Sequence, residues 1–175
     1  AEKLMIESAF YSKKIKYVCV RYGNVLNSRG SIIPLLHTIG NKKDSFYTLT
    51  DERMTRFIMT LNESCELIEY AIANADNGEI IIPEIRSMYV KDLFEIFSKI
   101  YNKEIKITGL RPGEKLYESL INGSQHMMTY KKGKYYHTSP NYNNILLNDK
   151  QDDINSMQNL MSKENLEKYL TDMNL

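Results

Sequence analysis

Hydrophobic and polar positions switch between helical and strand spacing along this chain. Residues 1–11 place Leu4, Met5, Ala9 and Phe10 at helical spacing with polar residues between them, which predicts an amphipathic helix. The polar stretch Ser12, Lys13, Lys14 ends it. Residues 15–22 are rich in β-branched and aromatic side chains and predict a strand. A helix followed by a near-continuous apolar strand is the α-to-β half of a parallel α/β unit. The loop at 23–31 then carries Asn24, Asn27, Ser28, Arg29 and Ser31. It lies beyond the carboxyl end of a strand, where open α/β sheets bind ligands. That position fits an ordinary strand-to-helix loop and a ligand loop equally. Ser31 is the expected cap of a helix over 32–39, with Pro34 tolerated in its first turn.

The rest of the pattern predicts strands at 45–50 and 57–61, and a helix over 63–75 capped by Thr60 or Asn62. Its apolar face is expected to hold Cys65, Leu67, Ile68, Ala71 and Ile72, and Asn77-Gly78 closes it. A buried strand at 79–83 precedes a second helix, expected to begin at Ser87 and to repeat Val90, Leu93, Phe94, Phe97 and Ile100. A strand at 104–108 follows. Residues 115–121 read as a short helix or strand with one buried side. Residues 133–138 suggest a hairpin strand, 142–156 an irregular segment, and 162–170 a helix capped by Ser162.

Between 108 and 115 lies the corner Gly109-Leu110-Arg111-Pro112-Gly113-Glu114. Pro112 fixes its own φ and biases Arg111 toward an extended conformation, and Gly113 tolerates φ > 0. A cation and an anion three positions apart are thus held on a rigid turn. A guanidinium suits phosphate oxygens, and a carboxylate suits sugar hydroxyls. Taken alone, the corner fits a plain surface turn with a salt bridge as well.

Composition narrows the chemistry. The chain has 175 residues, 42% hydrophobic and 26% charged, with a net charge of +1. That is a soluble globular composition without the electrostatic footprint of a nucleic-acid binder. Lys131, Lys132 and Lys134 form its densest basic run, read as a solvated turn. No apolar run is long enough for a membrane span. Cys19 and Cys65 sit in apolar-rich segments and are expected to be buried, reduced thiols, which points to a cytoplasmic compartment. His37, His126 and His137 lack metal-ligand spacing, so no metal site is expected, and His37 reads as a packing residue. Neither a Gly-x-Gly-x-x-Gly loop, nor a Gly-x-x-x-x-Gly-Lys-Ser/Thr loop, nor a Gly-x-Ser-x-Gly elbow occurs. What remains is a set of anion and polyol ligands on loops: Asn24, Arg29, Arg56, Arg111 and Glu114.

Four blocks occur in order: 21–25 (Arg-Tyr-Gly-Asn-Val), 28–34 (Ser-Arg-Gly-Ser-Ile-Ile-Pro), 54–57 (Met-Thr-Arg-Phe) and 111–118 (Arg-Pro-Gly-Glu-Lys-Leu-Tyr-Glu). Together they resemble the C-terminal half of the bacterial polysaccharide-biosynthesis UDP-N-acetylglucosamine 4,6-dehydratases, in the extended short-chain dehydrogenase/reductase superfamily. Residues 1–4 are similar to the tail of the helix that carries the family's Tyr-x-x-x-Lys, and 135–138 resemble the capsule-type, 5-inverting branch. The resemblance implies an α/β fold: the edge of a Rossmann-like parallel sheet over 1–45, a smaller α/β substrate-binding domain over 46–140, and an irregular tail with a C-terminal helix over 141–175. It implies that Asn24, Arg29, Ser31, Arg56, Arg111 and Glu114 bind substrate. Arg56 and Arg111 would clamp a diphosphate, Glu114 would take ribose hydroxyls, and 48–50 would pass the uracil. Tyr22, Gly23, Asn24 and Val25 would lie against the nicotinamide side of NAD(P), itself bound mainly by a missing N-terminal half.

The family reaction removes a hydride from sugar C4, eliminates water across C5–C6 and returns the hydride to C6. The glycine-rich loop and the Tyr-x-x-x-Lys are absent here, so no catalytic residue is assigned and the chain alone is expected to be inactive. It is read as a fragment of a longer protein or as one of two polypeptides, and as homo-oligomeric at full length. A UDP-glucose 4-epimerase and a non-catalytic nucleotide-sugar-binding domain are the alternatives.

Overall fold

The structure, a computed structural model, describes residues 1–12, 14–140 and 153–175. The chain begins with α1 (Glu2–Tyr11), β1 (Cys19–Val20), β2 (Asn24–Val25), α2 (Ile32–Gly40), β3 (Tyr47–Leu49) and β4 (Thr55–Met59). It continues through α3 (Leu61–Asn74), β5 (Ile80–Pro83), β6 (Arg86–Tyr89), α4 (Val90–Tyr101) and β7 (Ile105–Ile107). The last elements are β8 (Ser119–Ile121), α5 (Gly123–His126), β9 (Thr129–Lys132), β10 (Tyr135–Thr138), β11 (Ile154–Asn155) and α6 (Lys163–Asp172). The segment expected to be irregular lies outside the described residues up to 152. No helix among the described residues is long and apolar enough to cross a membrane.

Two compact units form. One comprises Ala1–Tyr22, Asn62–Glu84 and Ser119–Asn155, the other Gly23–Leu61, Ile85–Glu118 and Ser156–Leu175. The breaks expected near 45 and 140 follow chain order, whereas each unit draws on three separate segments.

In the first unit a sheet runs in the order β1-β5-β10-β9, with β1 parallel to β5 and β10 antiparallel to both its neighbours. All four residues of β5 are buried, as its apolar run predicts. The strand expected over 15–22 shrinks to β1. The Tyr17 N–H donates to the Asn77 side chain at 2.8 Å, and the Tyr17 carbonyl accepts from Gly78 N–H at 2.8 Å. Loop groups thus satisfy this backbone, so no ladder is needed there. Helix α3 buries Ser64, Leu67 and Ala71. That face leaves Cys65 exposed, together with Ile68 (45%) and Ile72 (67%). Cys65 is therefore not the buried thiol expected, and Cys19 is only half-buried, so the compartment reading loses this support.

In the second unit β2 runs parallel to β4, which pairs antiparallel with β6, and β3 runs parallel to β7. Helix α4 buries Val90, Leu93, Phe94, Ile96 and Phe97 against Ile33 and Leu36 of α2, Tyr47, Leu49 and Leu166 of α6. Val90, Leu93, Phe94 and Phe97 lie inward as read, but Ile100 is exposed with Ile96 buried in its stead, and the start is not at Ser87. That residue belongs to β6, opposite Phe57. Its N–H donates to the Asn159 carbonyl and its carbonyl accepts from Met161 N–H. With its backbone used on both sides in extended geometry, Ser87 cannot cap a helix. Ser162 does cap α6, its hydroxyl accepting from Asn165 N–H at 3.3 Å. His37 packs as expected, edge-on to Phe97 and 2.6 Å from the Tyr101 hydroxyl.

Candidate functional site

Parallel pairing assembles the site in the second unit. Leu49 stands opposite Ile107, and the Thr108 N–H donates to the Leu49 carbonyl at 2.9 Å. Thr50 and the corner beginning at Gly109 therefore leave the carboxyl ends of the same pair of strands. A cavity of about 460 Å³ opens there. Its apolar wall includes Leu26, Met54, Met88 and Phe94, and its polar wall Asn24, Ser31, Thr50, Arg56, Arg111 and Glu114. An apolar pocket with a few convergent polar groups is the usual form of a small-molecule site.

The corner folds as its residues require. Gly109 and Gly113 take φ of +82° and +83°, with nothing near a would-be Cβ, so backbone conformation alone selects glycine. Glu114 N–H donates to the Arg111 carbonyl at 3.0 Å, and Arg111 N–H donates to Glu114 Oε2 at 3.1 Å. The Thr50 hydroxyl lies 3.2 Å from Glu114 Oε1. The Glu114 carboxylate thus locks the turn. The Arg111 guanidinium is exposed and has no partner among the described residues.

Arg56 differs. Its Nη1 donates to the Thr55 carbonyl at 2.8 Å and reaches the Leu116 carbonyl at 3.4 Å, and Nη2 donates to the Lys115 carbonyl at 3.1 Å. Its one carboxylate partner among the described residues, Glu118, stands 3.4 Å from Nε. Arg56 therefore lines the cavity as a cation braced by backbone carbonyls. Burial raises the Glu118 pKa, against the opposing pull of Arg56 and Lys115. The neighbouring Arg53 turns away, forked onto its own Asp51 at 2.9 and 2.7 Å. That pairing holds the Asp51 carboxyl at about 2.

Ser31 sits at the N-cap of α2 but makes no side-chain cap bond, and its hydroxyl is buried without a hydrogen-bond partner among the described residues. Of the expected substrate residues, Asn24, Ser31, Arg56, Arg111 and Glu114 line the cavity, and Arg29 does not. Arg29 is exposed on the loop before α2. Val25 lines the cavity with Asn24. Tyr22 belongs to the first unit and is half exposed. The apolar wall and the Glu118 partner of Arg56 were not anticipated. Glu118 lies in the run that carries the resemblance, but only tertiary contact reveals its partner.

A Cβ on Gly23 would stand 2.6 Å from Phe57 Cβ and 2.8 Å from Ile85 Cδ1, so close packing alone selects glycine here. Among the described residues no group of three or more His, Cys, Asp or Glu is placed to hold a metal ion.

A family model described as polysaccharide biosynthesis protein matches residues 1–140. The chain belongs to this family. It is 48% identical over 132 residues to an uncharacterized membrane protein of Methanocaldococcus jannaschii, covering 69% of this chain. It is 36% identical over 129 residues to a UDP-N-acetylglucosamine 4,6-dehydratase (inverting) of Campylobacter jejuni, covering 74%. It is 39% identical over 140 residues to a UDP-glucose 4-epimerase of Rickettsia bellii, covering 77%. The matched stretches are 39%, 38% and 40% of those relatives' own lengths, so the chain spans about two-fifths of them. The X-ray structure of Pen from Bacillus thuringiensis superposes with a TM-score of 0.86 at 30% identity, covering 98% of this chain and 54% of that one. The fold, mixed α/β with parallel and antiparallel sheets, is that of the C-terminal part of an extended short-chain dehydrogenase/reductase.

Proposed function

We propose that this chain is the nucleotide-sugar-binding part of a short-chain dehydrogenase/reductase that acts on UDP-N-acetylglucosamine, the whole protein catalysing NAD(P)-dependent 4,6-dehydration. The observation that carries the reading is the convergence of Asn24, Thr50, Arg56, Arg111 and Glu114 on one cavity with an apolar wall. Arg111 offers an unpaired fork of donors to a diphosphate. Glu114 keeps lone pairs for ribose hydroxyls while it holds the turn. Asn24 and the Ser31 hydroxyl complete the polar wall. Binding of the nucleotide handle orients the reacting sugar, which is how remote binding energy serves a chemical step. The dinucleotide supplies hydride exchange in this reading, and no residue here is given a step through it. No catalytic group is assigned to this chain, so it is expected to bind without turnover.

Calorimetry with UDP and UDP-N-acetylglucosamine tests the proposal. Heat with both ligands supports it, and no heat with either sinks it. A second reading, UDP-glucose 4-epimerisation, is favoured by the Rickettsia relative. The Campylobacter relative and the run from Glu114 to Glu118 favour the dehydratase. Tighter binding of UDP-glucose than of UDP-N-acetylglucosamine would favour the epimerase.

A further inference from the structure

Three arginine–carboxylate pairs outside the corner differ in one respect. Arg21 grips Glu2 through two bonds of 2.7 and 2.5 Å, and also donates to the Leu120 carbonyl and to Gln125 Oε1. Arg53 grips Asp51 through two bonds of 2.9 and 2.7 Å. None of these bonds is longer than the usual charge-assisted range of about 2.7–2.9 Å. Arg56 reaches Glu118 only at 3.4 Å, and it is the member of the three that lines the cavity. Neutral carbonyls of Thr55, Leu116 and Lys115 fix its plane. Its position therefore does not depend on Glu118, while its charge is only loosely answered there.

The segment that carries Glu118 is itself tied down. Thr55 N–H donates to the Leu116 carbonyl at 2.8 Å, Ser156 N–H donates to the Glu118 carbonyl at 2.8 Å, and Glu118 N–H donates to Ser156 Oγ at 2.9 Å. The fully buried Ser156 also meets the Thr55 hydroxyl at 2.8 Å. The Glu118 backbone is held whatever its side chain does. The carboxylate is a fixed local anion beside a cation that faces the ligand cavity.

We propose that Glu118 is a positioning residue of a particular kind, an internal competitor that shares the charge of Arg56 and so weakens the hold of the cavity on an anionic ligand. The inference rests on the diphosphate reading of the site. Neutralising Glu118 should release Arg56 to the ligand without displacing it. A partly exposed pair of this kind has a modest effect, so Glu118→Gln should tighten binding about three-fold. A role in shaping the site would have the opposite sign, because losing the pair would disorder Arg56 and weaken binding.

The test is calorimetry of the chain with UDP-N-acetylglucosamine, whose doubly esterified diphosphate keeps its charge from about pH 8 to about pH 5. The proteins are wild type, Glu118→Gln, Arg56→Gln and the double variant. The charged groups facing Glu118 are Arg56 from β4 and Lys115 from its own segment. Glu114 is common to every protein compared. Three results are expected. Glu118→Gln binds about three-fold tighter near pH 8, the gain disappears in the Arg56→Gln background, and wild type approaches Glu118→Gln as acid protonates Glu118. An unchanged or weaker Glu118→Gln, or a gain that persists without Arg56, overturns the competitor while leaving the site reading intact if wild type still binds. The wild-type pH profile gives an independent check should the variant fold poorly, since affinity that does not rise on acidification also overturns it. No binding by folded wild type overturns both.

Discussion

The first unit holds its most deeply buried charges in a cluster with no loose ends, and the second holds a shallower set with several. Glu79 and His137 are almost wholly buried. Glu79 Oε1 accepts from the Tyr130 hydroxyl at 3.0 Å, and Oε2 accepts from Asp76 N–H at 2.9 Å and faces His137 Nδ1 at 2.9 Å. His137 Nε2 meets the Tyr70 hydroxyl at 3.0 Å. With its proton on Nδ1 the imidazole satisfies both neighbours. Burial first, then the bond to Glu79, pushes the Tyr130 hydroxyl above its ordinary range, and burial does the same to Tyr70. Neither gives up a proton near neutrality. In the second unit, among the described residues, the Arg111 guanidinium is unpaired, the Ser31 hydroxyl is unanswered and Arg56 is slackly matched. Burial alone would single out the cluster around Glu79 and not the cavity. Polar groups that are answered everywhere hold a fold together, and those left unanswered beside a cavity keep their donors and acceptors available to a ligand.

The strongest way to break this contrast is to open the satisfied cluster. Glu79→Ala leaves His137, Tyr130 and the Asp76 N–H without their acceptor in a dry interior. Each buried donor left without its acceptor costs about 1–3 kcal/mol, so the three together should cost about 3 kcal/mol or more. Urea unfolding of the two proteins side by side measures it. A loss below about 1 kcal/mol would mean that the cluster is not the fastening it looks like.

Arg111→Ala probes the other side. Its guanidinium is exposed and has no partner among the described residues, so unfolding should change by no more than about 0.5 kcal/mol. Affinity for UDP should fall about ten-fold or more, the value of a hydrogen bond to a charged group. Stability and binding would then separate cleanly between Glu79 and Arg111. A variant that unfolds easily yet binds UDP as before would reverse the assignment.

How much of this was legible depended on how local the cause was. The Arg111-to-Glu114 corner was readable because Pro112 and Gly113 constrain the backbone by themselves, and Gly113 does take positive φ. The core face of α4 was readable because its residues repeat at three and four. Its start was not, because Ser87 is claimed by strand partners far away in sequence. On α3 the sequence counts apolar residues on two adjoining faces, and only packing decides that Ser64, Leu67 and Ala71 turn inward while Cys65 and Ile72 do not. In the site, five of the six expected substrate residues could be placed on one cavity because each belongs to a block with recognisable spacing. Arg29 shares such a block and still points elsewhere, since a loop residue beside a site is not thereby on it. That Arg56 would already be braced by carbonyls depends on the path of 115–118, which no local pattern encodes.

Ser31→Ala is the smallest and finest of these tests. An N-cap serine replaced by alanine ordinarily costs about 1 kcal/mol, because a helix N–H loses its acceptor. Here the side chain makes no cap bond, so that loss should be absent. Removing a buried hydroxyl that has no partner should leave stability unchanged or raise it slightly. If the hydroxyl instead serves the ligand, UDP-N-acetylglucosamine should bind a few-fold more weakly, about the net value of one neutral hydrogen bond. Unfolding and calorimetry on one preparation read both effects. A clear loss of stability with unchanged affinity would return Ser31 to the role of an ordinary cap and remove it from the set of unanswered groups that distinguishes the cavity from the cluster around Glu79.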